Sequence, residues 1–193
     1  MASKKKAAKK AAPKKTTSKK TEQKKPKDSS VTKASPHTGV PQVGTVAPSF
    51  SCVSDAESVV TLSGLKGKPV VLYFYPKDST PGCTIEACDF RDSMNRVVAA
   101  GAVVLGVSRD SVASHLKFKT KYQLNFPLLA DVDGKLCEAY GVWQEKVLYG
   151  RRSMGIVRST FLIDKKGKIA AVWPKVKVDG HVSEVLAELS KLG

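Results

Sequence analysis

The sequence predicts an α/β domain with a central mixed sheet covered by helices on both faces, carried behind a basic tail. Three observations lead there. The run Pro69-Val-Val-Leu-Tyr-Phe-Tyr75 is β-branched and aromatic, lacks polar alternation and stops at Pro76, as expected of a strand buried on both faces. Directly after it the apolar spacing changes to a helical period. Strands and helices then alternate to the C-terminus, where a hairpin adds antiparallel strands to the sheet.

Each element has a local cause. Gly39 to Pro48 carries two prolines and two glycines and reads as an extended lead-in. Short β signals follow at Ser49 to Val53 and Ser58 to Leu62, with a turn at Leu65-Lys66-Gly67-Lys68. From Thr84, Ala87, Phe90, Met94, Val97 and Val98 share one helical face, Glu86, Asp89, Asp92 and Arg96 lie mostly on the other, and Gly101 ends the helix. Ala102 to Ser108 is a second buried strand, and Ser111 can cap a helix through about Tyr122. Phe126 to Ala130 reads as a third strand, Asp131 to Gly134 as a turn, and Lys135 to Tyr140 as a short helix. Ser159 to Asp164 and Lys168 to Trp173 form a hairpin, and a last helix runs from about Val182 to Leu192. This order is a thioredoxin-like α/β arrangement.

Charge divides the chain. The 193 residues carry +16, of which +11 falls in residues 1–38, where 13 Lys face only Glu22 and Asp28. That tail has almost no apolar side chain larger than Ala and is predicted to be disordered, leaving residues 39–193 as one domain of ordinary size. It lacks the apolar core of a secretory signal and the arginines of a mitochondrial presequence. The apolar stretch Val97 to Val107 is about half a membrane span, so a soluble protein without membrane contact is expected. Four cysteines, Cys52, Cys83, Cys88 and Cys137, are too few for a disulfide scaffold and suit reduced thiols with one or two chemical roles.

The informative stretch runs from Tyr75 to Asp92, between the central strand and its helix, where open α/β sheets place their ligands. Cys83 falls at the first helical turn, where unpaired N–H groups and the dipole favour a thiolate. Five residues on lies Cys88. On an intact helix their Cα atoms are roughly 9 Å apart, beyond the ~7 Å that disulfides tolerate. A bond between them would require the first turns to unwind, which predicts a two-state site. The spacing also differs from the C-x-x-C of disulfide oxidoreductases.

Pro76-x-x-x-Thr80-x-x-Cys83 resembles the active-site signature of peroxiredoxins, and Cys83 with Cys88 in one helix resembles the bacterioferritin-comigratory-protein or peroxiredoxin Q branch. The likeness continues in Tyr73-Phe-Tyr-Pro76, Cys88-Asp-Phe-Arg-Asp92, Tyr140-Gly-Val-Trp143 and Arg158-Ser-Thr-Phe-Leu-Ile-Asp164, and covers Gly39 to Gly193. It implies a thiol peroxidase that reduces hydrogen peroxide and organic hydroperoxides in antioxidant defence. Cys83 would be the peroxidatic cysteine and Cys88 the resolving one, with a redox-active Cys83–Cys88 disulfide reopened by thioredoxin. Thr80 would hydrogen-bond thiolate and peroxide, Pro76 would shield the site from water, and Arg158 would project from its strand to stabilise the charges. No cofactor or metal is implied, and an intrachain resolving cysteine makes a monomer the default. The alternatives are a DNA-associated redox sensor and a general thiol–disulfide oxidoreductase.

The remaining candidates have plainer readings. Cys137 reads as core and Cys52 as a residue of an early strand. His37, His115 and His181 are scattered, which argues against zinc, and His115 reads as half-exposed. Trp143 and Trp173 read as packing groups. The tail suits non-specific phosphate neutralisation on DNA or contact with a nuclear import receptor. A nuclear thiol peroxidase of the fungal type is the leading expectation, and a bacterial cytoplasmic protein held at the nucleoid is the alternative.

Overall fold

The computed structural model describes residues 39–148 and 151–192. The predicted tail, with His37, lies outside the described residues. Strand β1 (Ser51–Val53) pairs antiparallel with β2 (Val59–Thr61) at the periphery. The main sheet is built from β3 (Val70–Phe74), β4 (Val103–Ser108), β5 (Leu128–Ala130), β8 (Ser159–Ile163) and β9 (Ile169–Trp173), in the order β5-β4-β3-β8-β9. β3, β4 and β5 run parallel, and β8 and β9 are added antiparallel, so the predicted mixed sheet is present.

β3 earns its central place by composition: all five of its residues are buried, and their side chains alternate between two cores. Val71, Tyr73 and the following Tyr75 face a core with Phe90, Val97, Phe118 and Val185. Val70, Leu72 and Phe74 face another with Leu136, Cys137, Tyr140 and Phe161. The helices are α1 (Pro81–Asp92), α2 (Met94–Ala99), α3 (Val112–Tyr122), α4 (Lys135–Ala139) and α5 (His181–Leu189). The Ser111 hydroxyl accepts from Ser114 N at 3.3 Å, making the predicted cap of α3. Among the described residues, no helix is long and apolar enough to cross a membrane.

Four expectations need correction. The helix predicted to run from Thr84 to Gly101 begins earlier, at Pro81, and breaks at Ser93, whose ψ of 1° turns the chain into α2. That break rotates the helical face, so Val98, expected in the core, is 64% exposed; Glu86, ahead of the break and expected on the polar face, is fully buried because it pairs with Arg158. His115 is also fully buried, drawn in by an acidic partner, whereas its neighbour Leu116 is exposed. The final helix gives way at Leu189 to a 3-10 turn over Ser190–Leu192. One element escaped prediction: an antiparallel ribbon of β6 (Trp143–Leu148) and β7 (Arg151–Ile156). Charged residues interrupt apolar alternation in both strands, and although Ile156 is buried, Glu145, Arg152, Ser153 and Met154 are exposed, which leaves no regular periodic trace.

The parallel pairing sets Tyr73 opposite Gly106. A Cβ at Gly106 would meet the Tyr73 hydroxyl at 2.7 Å and Leu128 Cδ2 at 2.8 Å, both on buried side chains. Gly106→Ala is therefore expected to destabilise the fold by about 1–3 kcal/mol, read as a lower urea midpoint with unchanged denaturant slope.

Candidate active site

The loop after β3 delivers the site. Pro76 lies at its start, and Ser79 adopts a left-handed φ of 57°, uncommon for a residue with a side chain. Thr80 takes the N-cap position and Pro81 the first helical one, which suits a residue with no N–H to donate. The first bond of α1 runs from Thr84 N to Thr80 O at 2.9 Å, so Cys83 stands in the first turn. Its side chain is 1% exposed.

Arg158 reaches this thiol from the opposite end of the chain, donating from Nη2 to Cys83 Sγ at 3.2 Å. It stands one position before β8 begins rather than within a strand. Its Nη1 donates to Glu86 Oε2, one turn further along α1, so a single guanidinium bridges thiol and carboxylate. Gly82 leaves room for it: a Cβ there would come within 3.3 Å of Arg158 Nη2. Burial pushes the Glu86 carboxyl up to about 7, against the pull of Arg158. Glu86 Oε1 and the Tyr73 hydroxyl are buried without a hydrogen-bond partner among the described residues. Burial first, then Glu86 and Cys83, drive the Tyr73 phenol well above its ordinary value. His181, bonded to Thr160 Oγ1 at 2.8 Å, is pushed down to about 4 by burial and by Arg158.

The five predicted site residues do not all meet. Cys83 and Arg158 touch. Thr80 is in place at the helix start, but its hydroxyl donates to Lys77 O at 3.0 Å and makes no side-chain cap. Pro76 is exposed and lines a cleft of about 350 Å³ with Arg109, Trp143, Lys146 and Met154. Trp143 stacks beneath Arg109, whose guanidinium carbon lies 4.4 Å from the ring centroid. Cys88 is half-buried in the same unbroken helix as Cys83, and both are free thiols. Cys52 and Cys137 are buried away on the far core. Burial raises Cys52 to about 11 and drives Cys137, beside Asp131, higher still.

Two residues of the site went unseen in the sequence. Glu86 looks like an ordinary solvent-facing helix residue, and only its place three after Cys83 marks it. Lys146 comes from the unpredicted ribbon; burial, then the charge of Arg158, lowers its ammonium, while Cys83 pulls the other way. No group of three or more His, Cys, Asp and Glu suited to a metal occurs among the described residues.

A thioredoxin-type sheet that holds a buried thiol at a helix start under a guanidinium defines a thiol-based redox protein. Comparisons narrow the class. Residues 43–172 match the AhpC/TSA family. A Bcp protein of Coxiella burnetii is 56% identical over 148 residues, covering 77% of this chain and 98% of that one. Peroxiredoxin Bcp of Bacillus subtilis is 52% identical over 151 residues, covering 78% and 96%. Among solved structures, the Xanthomonas campestris bacterioferritin comigratory protein, described for its alkyl peroxide reduction activity, superposes with a TM-score of 0.71 at 46% identity, covering 74% of this chain and 90% of that one. The chain belongs to the AhpC/TSA family and, within it, to the Bcp and peroxiredoxin Q group of thiol-dependent peroxidases. These relatives are bacterial, so the nuclear and fungal expectation drawn from the tail finds no support among them.

The raised Glu86 value has a definite sign. Between its ordinary 4.5 and about 7 the folded protein holds this proton more tightly than the unfolded chain does. The linked stability is therefore present below the lower value and is lost as pH rises through the upper one. Glu86→Gln removes that loss. Urea unfolding of reduced protein should show wild type losing up to about 3 kcal/mol relative to the variant between about pH 5 and pH 8.

Proposed function

We propose that the domain spanning residues 39–193 reduces hydrogen peroxide and organic hydroperoxides through Cys83, and that Cys88 and thioredoxin complete the cycle. The observation that carries this is the bond from Arg158 to Cys83 Sγ at the start of α1. Guanidinium and helix terminus both favour a thiolate over a thiol. The thiolate attacks one peroxide oxygen and the O–O bond breaks. The departing alkoxide or hydroxide takes a proton and leaves as alcohol or water, and Cys83 is left as a sulfenic acid. Arg158 stabilises charge on both the attacking sulfur and the departing oxygen. Thr80 turns its hydroxyl from Lys77 to the peroxide, and Pro76, at the start of the same loop, shields the sulfur from water.

Cys88 then attacks the oxidised sulfur and water leaves. The two thiols have supplied two electrons and are joined as a disulfide. This step requires α1 to unwind, because both cysteines stand on one intact helix. The break at Ser93 separates α1 from α2, so unwinding need not spread. A dithiol such as thioredoxin restores the thiols by exchange. Nothing in this cycle uses Cys52 or Cys137, whose thiols burial holds in the unreactive protonated form.

The bacterial relatives favour the cytoplasm as the site of action, with the intrachain disulfide letting a monomer complete the cycle. The Lys-rich residues 1–38 would add salt-sensitive contact with nucleic acid, independent of base sequence.

Peroxide-dependent NADPH consumption, coupled through thioredoxin and its reductase, is expected for wild type and should vanish in Cys83→Ser; turnover surviving that change would refute the assignment. Mass spectrometry of peroxide-treated protein should find a Cys83–Cys88 bond, and a bond from Cys83 to Cys52 or Cys137 would overturn the resolving role. Arg158→Met should slow the peroxide step by about 10²-fold. For the tail, DNA affinity of the full chain should fall steeply between about 50 and 200 mM salt; binding insensitive to salt would contradict it.

A further inference from the structure

Beneath the loop that carries Pro76 and Thr80 lies a buried polar cluster that the cycle above leaves unused. Its centre is Asp78, 7% exposed. The Tyr75 hydroxyl donates to Asp78 Oδ1 at 2.7 Å, the Ser114 hydroxyl donates to Oδ2 at 2.7 Å, and His115 Nδ1 lies 3.0 Å from Oδ2. The backbone of the same residue is held as well: Asp78 N donates to Asp110 Oδ2 at 2.9 Å, an oxygen that also accepts from Ser108 at 2.7 Å. His115 Nε2 is 3.1 Å from the Leu129 carbonyl oxygen. One residue is thus gripped from the ends of β3 and β4 and from α3, which is itself tied to β5.

The consequences run forward along the chain. Immediately after Asp78, Ser79 is held in the left-handed region, and Thr80 bonds back to Lys77 and starts α1. The direction in which the first turn leaves the sheet is therefore set by how Asp78 is seated. A carboxylate is the group this seat requires, because it accepts from several donors and donates to none. Asn in its place would turn an NH2 group toward a hydroxyl or a ring nitrogen. Burial raises the Asp78 carboxyl, but the donors from His115, Ser114 and Tyr75 outweigh it and hold it below the usual carboxylate range.

The far end of α1 is held separately. Phe90 is fully buried, and Arg91 Nη1 donates to the Tyr122 carbonyl at 2.7 Å. The segment that must open for Cys83 to meet Cys88 lies between these two attachments.

We propose that Asp78, supported by Ser114 and His115, is a positioning residue for the attack of Cys83 on peroxide, seating the loop so that α1 rewinds onto a preset start after each opening. The proposal rests on the functional reading above. It concerns the wound form of the site, so the peroxide half of the cycle depends on it and the disulfide half does not. In a two-substrate exchange cycle, kcat/KM for peroxide reports the first half and kcat/KM for thioredoxin the second.

The test uses the full chain, with both substrates varied, for wild type, Asp78→Asn and Ser114→Ala. For Asp78→Asn, kcat/KM for peroxide should fall at least about tenfold more than kcat/KM for thioredoxin, since misplacement by about 1 Å can cost 10²-fold. A smaller difference, including a parallel fall in both as folded protein is lost, overturns the proposal. Should Asp78→Asn fail to fold, Ser114→Ala decides, because it deletes one donor and leaves the carboxylate in place. At least about a threefold fall confined to the peroxide side supports the role, and anything less overturns it. Wild type without peroxide turnover would overturn the functional reading and this proposal together, whereas normal wild-type turnover with unaffected variants would overturn the positioning role alone.

Discussion

The guanidinium of Arg158, held between Cys83 and Glu86, is the interaction on which the site depends. The Cys83 sulfur is 1% exposed and thus cut off from water, and Arg158 sets a fixed positive charge 3.2 Å from it. The arginine needs a partner in turn, because an unpaired buried cation is costly. Glu86 fills that need from within α1, at the expense of its own desolvation. Thiol and carboxylate belong to one helix and the guanidinium to the strand region across the sheet, so the charge cluster also fastens α1 to its platform.

That attachment sits uneasily with the opening of α1 that the proposed Cys83–Cys88 disulfide would require. The two demands are reconciled by segmentation. The chain breaks at Ser93, so the helix that carries both cysteines is a separate piece of 12 residues. Its preceding loop is seated through Asp78 and its last turn through Phe90 and Arg91. Local opening between fixed ends loses few buried contacts compared with unfolding the domain, which is what a low-stability segment within a stable fold requires.

Much of this is legible along the chain where neighbours decide the outcome. The unbroken β-branched run of β3 announces its burial, Ser111 announces the start of α3, and the Pro76 to Cys88 pattern locates the thiols at a strand-to-helix junction. Legibility ends where a distant group decides. Glu86 is indistinguishable from Asp89 by helical spacing, and it is buried because Arg158, 72 residues away, reaches it. His115 lies on a helix face that reads as half wet, yet Asp78 from another loop takes it inside. Val98 turns outward because the break at Ser93 shifts the helical phase of α2, which keeps Val97 in the core and leaves Val98 outside it. The β6–β7 ribbon meets the core through Ile156 and Trp143 while Glu145, Arg152, Ser153 and Met154 are exposed, so its residues carry no regular apolar rhythm.

Residues close in sequence were enough to settle the α/β class, the strand-to-helix position of Cys83, its five-residue separation from Cys88 and the division of charge between tail and domain, because each follows from periodicity, turn chemistry or counting. Which side chains surround the thiol was decided only by the three-dimensional packing. Arg158, which the family resemblance named but no local pattern could place, and Lys146 come from segments distant from Cys83, and Glu86, though in the thiol's own helix, is buried only because Arg158 reaches it; the charge, burial and hydrogen bonds around a buried thiol depend on distances through space.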